Sequence, residues 1–264
     1  MMLLSVILSA VGAAAVQTAP IQTVEALAMG ATPIAEEAAA EEAAAQDWKG
    51  KVTVSLSSTD GNASEKGAYA DLKMAKELEN GNRLSVSAFW TFRQSKAAGI
   101  TQRTSSLETK YDVAINDASY YYGIATAESK LESDLDLRWS VGVGLGHTVV
   151  EKEDYKASVE IGVSHVDESY TINNADDDSY VSGRFGYDVV WDYSDKLKFE
   201  NNASLLFSLD DTDDTSSRMV TAATYKMTAS MLAQAGWIWE WDNTPASGSG
   251  KDDNLYTISL GWTF

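Results

Sequence analysis

The sequence predicts an all-β fold: a closed, antiparallel, 12-stranded transmembrane outer-membrane β-barrel with short periplasmic turns and longer extracellular loops. Three observations carry this expectation. Residues 254–264 place Tyr256, Ile258, Leu260, Trp262 and Phe264 on one face and Thr257, Ser259, Gly261 and Thr263 on the other. That strict period of two marks a strand with one apolar and one polar face. Eleven earlier segments follow, all but the tenth repeating the pattern clearly, and their connections alternate between short and long. A soluble edge strand built like residues 254–264 would invite aggregation, whereas a lipid-facing strand requires an apolar outer row.

Composition narrows the class further. There is no cysteine, which excludes disulfides, a thiol nucleophile and a lipidated N-terminal Cys. The net charge of −19 argues against nucleic acid, because neutralising phosphates needs a basic surface. No apolar run reaches the roughly 18 residues that a spanning helix needs. Mean hydropathy is near neutral, as expected where every second strand residue faces away from lipid.

The first 47 residues read as separate from the barrel. Residues 1–15 are apolar and end in Ala13-Ala14-Ala15, the pattern of a secretory signal peptide, although no Lys or Arg precedes the apolar run. Residues 16–47 are rich in Ala and Glu, with no apolar face to pack. They predict an acidic periplasmic extension, disordered or transiently helical. Six of the 39 acidic residues lie there, which leaves 33 against 20 bases for residues 48–264, a net of −13.

Each barrel segment is justified by its own alternation. The first puts Trp48, Gly50, Val52, Val54 and Leu56 outward against Lys49, Lys51, Thr53 and Ser55. The second uses Ala70, Leu72, Met74 and Leu78. It leads into Glu79-Asn80-Gly81-Asn82, and Asn-Gly is a strong hairpin signal. The third sets Leu84, Val86, Ala88, Trp90 and Phe92 against Arg83, Ser85, Ser87 and Thr91. The fourth carries Leu107, Tyr111, Val113 and Ile115. The fifth begins at Tyr120-Tyr121-Tyr122, aromatics suited to an interface. The sixth presents Leu135, Leu137, Trp139, Val141, Val143 and Leu145 outward, with Asp136, Arg138, Ser140, Gly142, Gly144 and Gly146 inward. The seventh shows Tyr155, Ala157, Val159, Ile161 and Val163, and the eighth Val181, Phe185, Tyr187, Val189 and Trp191. The ninth has Leu197, Phe199, Ala203, Leu205 and Phe207. The tenth, 218–228, alternates poorly. The eleventh stacks Ala235, Trp237, Trp239 and Trp241 before the terminal strand.

Short turns are expected near 79–82, 116–118, 151–154, 194–196 and 228–230, and longer loops near 58–66, 94–102, 128–134, 167–179, 209–217 and 243–253. An even strand number puts both barrel ends in the periplasm.

Several motifs in order resemble a known family. They are Trp48-x-Gly50, Gly61-Asn62, Asp136-Leu-Arg138, Gly142-Val-Gly144-Leu-Gly146, Trp241-Asp242-Asn243-Thr244-Pro245, and Asp253 before a strand ending in Phe264. The chain is similar over about 48–264 to the uncharacterised family of salt-induced outer-membrane proteins, domain of unknown function 481. His147 departs from it, standing where the family usually carries an aromatic. The resemblance implies a barrel in the outer membrane and a relation to salt, and it brings no catalytic residues.

Four sets of residues are candidates for function. The inward charges Asp71, Lys73, Glu77, Glu108, Lys110, Arg138, Glu160, Arg184, Asp188, Lys198, Glu200 and Glu240 could line a narrow cation-preferring pore or pair into a plug. The acidic runs Asp176-Asp177-Asp178, Asp210-Asp211, Asp213-Asp214 and Asp252-Asp253 fall in expected outer loops. They form a solvated rim or a weak site for Ca²⁺ or Mg²⁺, and none matches an EF-hand. Tyr256, Ile258, Leu260, Trp262 and Phe264 form the expected assembly signal. His147 and His165 are the only histidines. Ser164 beside His165 points to the opposite face, so a lipid-modifying enzyme would need a serine from a neighbouring strand. The triple-glycine run lacks the ending of a phosphate loop and reads as an inward column without side chains. No cofactor is expected. The expected partners are outer-membrane lipid and lipopolysaccharide, with barrel assembly machinery and periplasmic chaperones during biogenesis, for a monomeric barrel.

Overall fold

In the computed structural model, the structure describes residues 48–59, 65–78, 81–171, 178–211, 213–244 and 250–264. The expected signal peptide and acidic extension, most of the 58–66 loop, and Asp176 and Asp177 lie outside the described residues.

Twelve strands follow one another: β1 (Lys49–Thr59), β2 (Glu65–Glu77), β3 (Arg83–Ser95), β4 (Gly99–Ala114), β5 (Ser119–Lys130), β6 (Leu135–Glu151), β7 (Tyr155–Tyr170), β8 (Asp178–Asp192), β9 (Leu197–Ser208), β10 (Thr215–Lys226), β11 (Met231–Asp242) and β12 (Asp252–Thr263). Each pairs antiparallel with its chain neighbour, and β1 pairs with β12, so the sheet closes into a barrel. Closure lets almost every strand find partners on both sides. That is what a strand needs in lipid, where no water can satisfy a free peptide group.

The period of two decides which side chains face in. Tyr256, Ile258, Leu260, Trp262 and Phe264 are exposed on the outer surface, while Thr257 and Ser259 are buried on the inner one. Val141, Val143 and Leu145 likewise face out around buried Ser140. Aromatics collect at two levels. Trp191, Tyr193 and Phe199 cluster beside the short-turn end. At the other end Trp237 stacks on Tyr256, and Trp239 donates to Asp252 at 3.0 Å. Such girdles mark the two interfaces of a spanning barrel.

Short turns connect the strands at 115–118, 152–154, 193–196 and 227–230, close to the expected positions, and Leu78, Gly81 and Asn82 bond to one another between β2 and β3. Gly81 adopts φ +77°, the left-handed conformation that a tight Asn-Gly hairpin requires. The opposite end differs from expectation in three ways. No long loop spans 94–102, because β3 runs to Ser95 and β4 starts at Gly99. The polar stretches read as loops near 128–134, 167–179, 209–217 and 243–253 are shorter, since β5, β7, β8, β10 and β12 extend into them. Ladder bonds come from the backbone, so polar residues continue a strand freely once it leaves the hydrocarbon. β10 spans Thr215–Lys226 rather than 218–228. Its alternation is weak because Val220 and Ala222 sit on the inner parity, beside Arg218 and Thr224.

The start of β6 is also corrected. Leu135 is buried and lines the lumen, whereas Asp136 is exposed. The register shifts between Leu135 and Leu137, and that bulge inverts the parity of the first residues.

These faces make a direct prediction. Val86→Arg places a charge in lipid and should cost about 2–4 kcal/mol near the midplane. Ser87→Arg enters the lumen wall and should cost much less. Ser259 is a poor inward control, because only 2% of it is accessible. Detergent-refolding midpoints of the Val86 and Ser87 variants measure the difference, and equal losses would contradict the assigned faces.

Candidate functional site

The inward parity of the strands gathers charge into the lumen. A cavity of ≈ 1740 Å³ occupies it. Its lining reaches the 116–118 and 194–196 turns at one end and Asp242, Thr244, Lys251 and Asp253 at the other. Asp71, Lys73, Glu77, Glu108, Lys110, Arg138, Glu160, Arg184, Asp188, Lys198, Glu200 and Glu240 all line it.

Near the long-loop end the charges alternate in a chain. Arg218 bonds one Glu240 oxygen at 2.6 Å, and Lys130 bonds the other at 2.6 Å. Glu128 lies 3.6 Å from both Lys130 and Arg138, and Arg138 donates to Glu168 at 2.6 Å. Tyr170 and Tyr180 also donate to Glu168. Phe89 packs under the Arg218 guanidinium, 4.0 Å from ring centre to Cζ. β5 and β11 are six places apart in the ring of strands, so Lys130–Glu240 spans opposite walls. Arg138 is different. Its partners Glu128 and Glu168 sit directly opposite it on the adjacent strands, so it stays on the wall.

A second cluster lies toward the short-turn end. Lys110 pairs with Asp112 and Glu160 at 2.6 Å each, and Arg184 pairs with Glu160 at 2.8 Å. Tyr120 donates to Glu160, and Arg184 to the Tyr122 hydroxyl. The Lys110 ammonium stands 4.8 Å and 5.1 Å from the Tyr120 and Tyr122 ring centres. The glycine column explains how these rings fit: a Cβ at Gly144 would strike Tyr122, and one at Gly146 would strike Tyr120. The space left by the glycines is therefore filled by two tyrosines rather than left open. Lys51 reaches Glu200 as a third pair, from β1 to β9.

Sequence reasoning set Lys51 on the inner face of β1 without counting it among the candidate charges, and it did not include Asp112, Glu128, Lys130, Glu168 and Arg218. Glu128, Lys130 and Glu168 fell in stretches read as loops, and Arg218 in the poorly alternating strand. Continuing the inward parity from Lys110 to Asp112, and from Tyr120 to Lys130, finds three of these five.

The acidic runs do not form one rim. Asp178, Asp252 and Asp253 belong to strands β8 and β12 rather than to loops. Asp210, Asp211, Asp213 and Asp214 lie in the 209–214 connection, where carboxylates cap their own turn. Asp211 accepts from the Asp213 N–H at 3.0 Å, and Asp214 accepts from Thr244 at 3.2 Å. Partial burial raises the Asp214 carboxyl above its ordinary range, and the Glu168 charge adds to this. Among the described residues no group of three or more His, Asp or Glu side chains is placed to hold a metal ion.

Both histidines face outward beside serines. His147 Nδ1 is 3.0 Å from Ser119, and His165 Nε2 is 3.4 Å from Ser179 and edge-on to Trp139. Ser164 is buried on the inner face, away from His165. Among the described residues no carboxylate is bonded to either imidazole.

A closed, twelve-stranded antiparallel barrel with an apolar outer face and a charged lumen is the architecture of outer-membrane β-barrels. The chain belongs to the family described as a protein of unknown function, DUF481, whose model matches residues 52–264. The chain is similar to several solved structures at low identity. The NanC porin is 12% identical with a TM-score of 0.51, and the match covers 82% of this chain and 100% of the porin. An outer membrane channel from Pseudomonas putida F1 is 13% identical with a TM-score of 0.49, covering 82% and 95%. The translocator domain of the autotransporter NalP from Neisseria meningitidis is 12% identical with a TM-score of 0.45, covering 88% and 97%. No curated protein matches the chain.

Proposed function

We propose that the protein is a narrow passive channel of the bacterial outer membrane that favours cations at its outer mouth. The observation that carries this is the lumenal cavity, whose lining reaches both ends of the barrel. Ion pairs crossing it leave a constricted path, suited to small ions rather than large solutes. Among the described residues sixteen acidic and fifteen basic side chains line the cavity, so that wall is nearly neutral. Selectivity then comes from the acidic residues off the wall, notably those at 209–214. Their attraction for cations is screened within roughly 10 Å at 0.1 M salt.

A structural role is the second reading, favoured by the pairs that tie opposite walls together. The link to salt stress rests on the family resemblance alone. In this reading the barrel is monomeric and its outer face meets outer-membrane lipid and lipopolysaccharide. The assembly machinery reads the terminal strand, delivered by periplasmic chaperones.

Purified protein in planar bilayers tests the channel. Conductance should favour cations, most strongly at low salt. Replacing Asp210, Asp211, Asp213 and Asp214 together with Asn should reduce that preference while leaving the heat-modifiable gel shift unchanged. A barrel that conducts nothing, and still conducts nothing once its cross-lumen ion pair is removed, leaves the structural role.

A further inference from the structure

The seam that closes the barrel is incomplete. β1 pairs with β2 over eleven rungs, to Thr59. β12 pairs with β11 over eleven, to Asp252. Across the seam the register holds only from Lys51↔Thr263 to Val54↔Leu260, below which Gly50 and Phe264 exchange both backbone bonds. Beyond Val54 and Leu260 both strands continue, each bonded on its far side and, among the described residues, unpaired on the side facing the other. Antiparallel rungs alternate between bonded and non-bonded pairs. Gly50–Phe264 is a bonded rung, so the next bonded rung above Val54–Leu260 would be Leu56–Ile258. The peptide groups of those two residues face the gap.

The gap lies at membrane depth. Ile258 is six residues from Phe264, about 15 Å up the barrel for a tilted strand, within a hydrocarbon band about 25 Å tall. Lipid tails cannot bond free peptide groups there. Leu56, Ile258 and Tyr256 are also the most exposed large apolar side chains described, at 84%, 83% and 73%. On the inner face, at the fork where pairing stops, the hydroxyls of Thr53 and Ser259 are buried with no hydrogen-bond partner among the described residues.

We infer that the upper β1–β12 seam is a binding slot for a single amphiphile with an acyl chain and a hydrogen-bonding head. The chain lies along Leu56, Ile258 and Tyr256. The head meets the free peptide groups and the Thr53 and Ser259 hydroxyls. These two sets of groups, apolar outside and unsatisfied polar inside, match the two ends of such a molecule. The inference is independent of the channel reading, since it holds for a closed lumen as well. A bilayer phospholipid and a free fatty acid share the required chemistry.

Photo-crosslinking separates these sources. The intact chain is placed in phosphatidylethanolamine vesicles carrying either a phospholipid with a head-group diazirine or a fatty acid with a carboxyl-end diazirine. Labelling is mapped by peptide mass. The slot predicts label on the inward-facing segments around Thr53 and Ser259 from at least one probe, and the probe that labels identifies the source. Ser57 and Thr257 are opposite one another if the register continues. The disulfide of Ser57→Cys/Thr257→Cys would zip the seam, and it should abolish this label until reductant restores it. Each single-cysteine variant should label as the parent does, and a retained heat-modifiable gel shift shows that the barrel still folds. Label confined to outward residues such as Val143 and Ile161, or label at the fork that survives the disulfide, overturns the inference. So does quantitative disulfide formation by dissolved oxygen alone in lipid-filled vesicles, because it means the seam is already closed.

Discussion

Removal of Trp262, Thr263 and Phe264 should abolish the folded barrel. The seam between β1 and β12 consists of Gly50–Phe264 and the rungs from Lys51–Thr263 to Val54–Leu260. The deletion takes three of those five and leaves Val54–Leu260 and Thr53–Gly261. Elsewhere each pair of neighbouring strands is joined by eleven rungs or more, so no other contact replaces what the seam loses. An unclosed sheet leaves unpaired edges in lipid, each free peptide group costing several kcal/mol. The deleted chain should be absent from the outer-membrane fraction and lack a heat-modifiable gel shift. Refolding in detergent distinguishes the two roles assigned to this strand. A chain that refolds in detergent yet is lost in cells has lost an assembly signal. A chain that fails in both has lost closure, which is the expected result. Normal heat-modifiable barrel in the membrane would refute both.

The second large effect belongs to the pair that crosses the lumen. Glu240 holds Lys130 from the opposite wall and Arg218 from the adjacent strand. Glu240→Ala takes the bonded carboxylate from Arg218 and, among the described residues, leaves Lys130 only Glu128, 3.6 Å away. A broken buried pair costs about 3–5 kcal/mol, and the lumen cavity should bring the loss toward the lower figure. Lys130→Ala/Glu240→Ala removes the bridge and leaves only Arg218 in excess. Its stability should recover in part, and its single-channel conductance should rise several-fold. Arg138→Ala should widen the lumen less, because Arg138 lies flat against its neighbours Glu128 and Glu168. If the double variant conducts no better than wild type, Lys130–Glu240 is not the constriction. A larger rise in Arg138→Ala would place the constriction on the wall instead.

Much of this protein was legible from residue order because a β-barrel is written in a period of two. The outward rows of β3, β6 and β12 could be read directly, since the side of a strand is a local property of parity. The same parity placed every charge in the proposed inward set on the cavity wall. It failed where a local irregularity intervened. The Leu135 bulge exchanged the faces of Leu135 and Asp136. The inward Val220 and Ala222 blurred β10. Polar strand ends such as Asp178 and Asp252 looked like loops, because backbone pairing does not depend on side-chain polarity.

Residue order by itself therefore determined the class of fold, the number of strands and the faces of most of them. Only the tertiary structure decided which charges meet. Lys130 and Glu240 are 110 positions apart and lie on opposite walls, a distance set by how the sheet is sheared and closed. Closure likewise decided that β1 and β12 part above Val54 and Leu260. Alternation specifies a face, but pairing across the lumen or the seam depends on the relative height of strands that are remote in sequence.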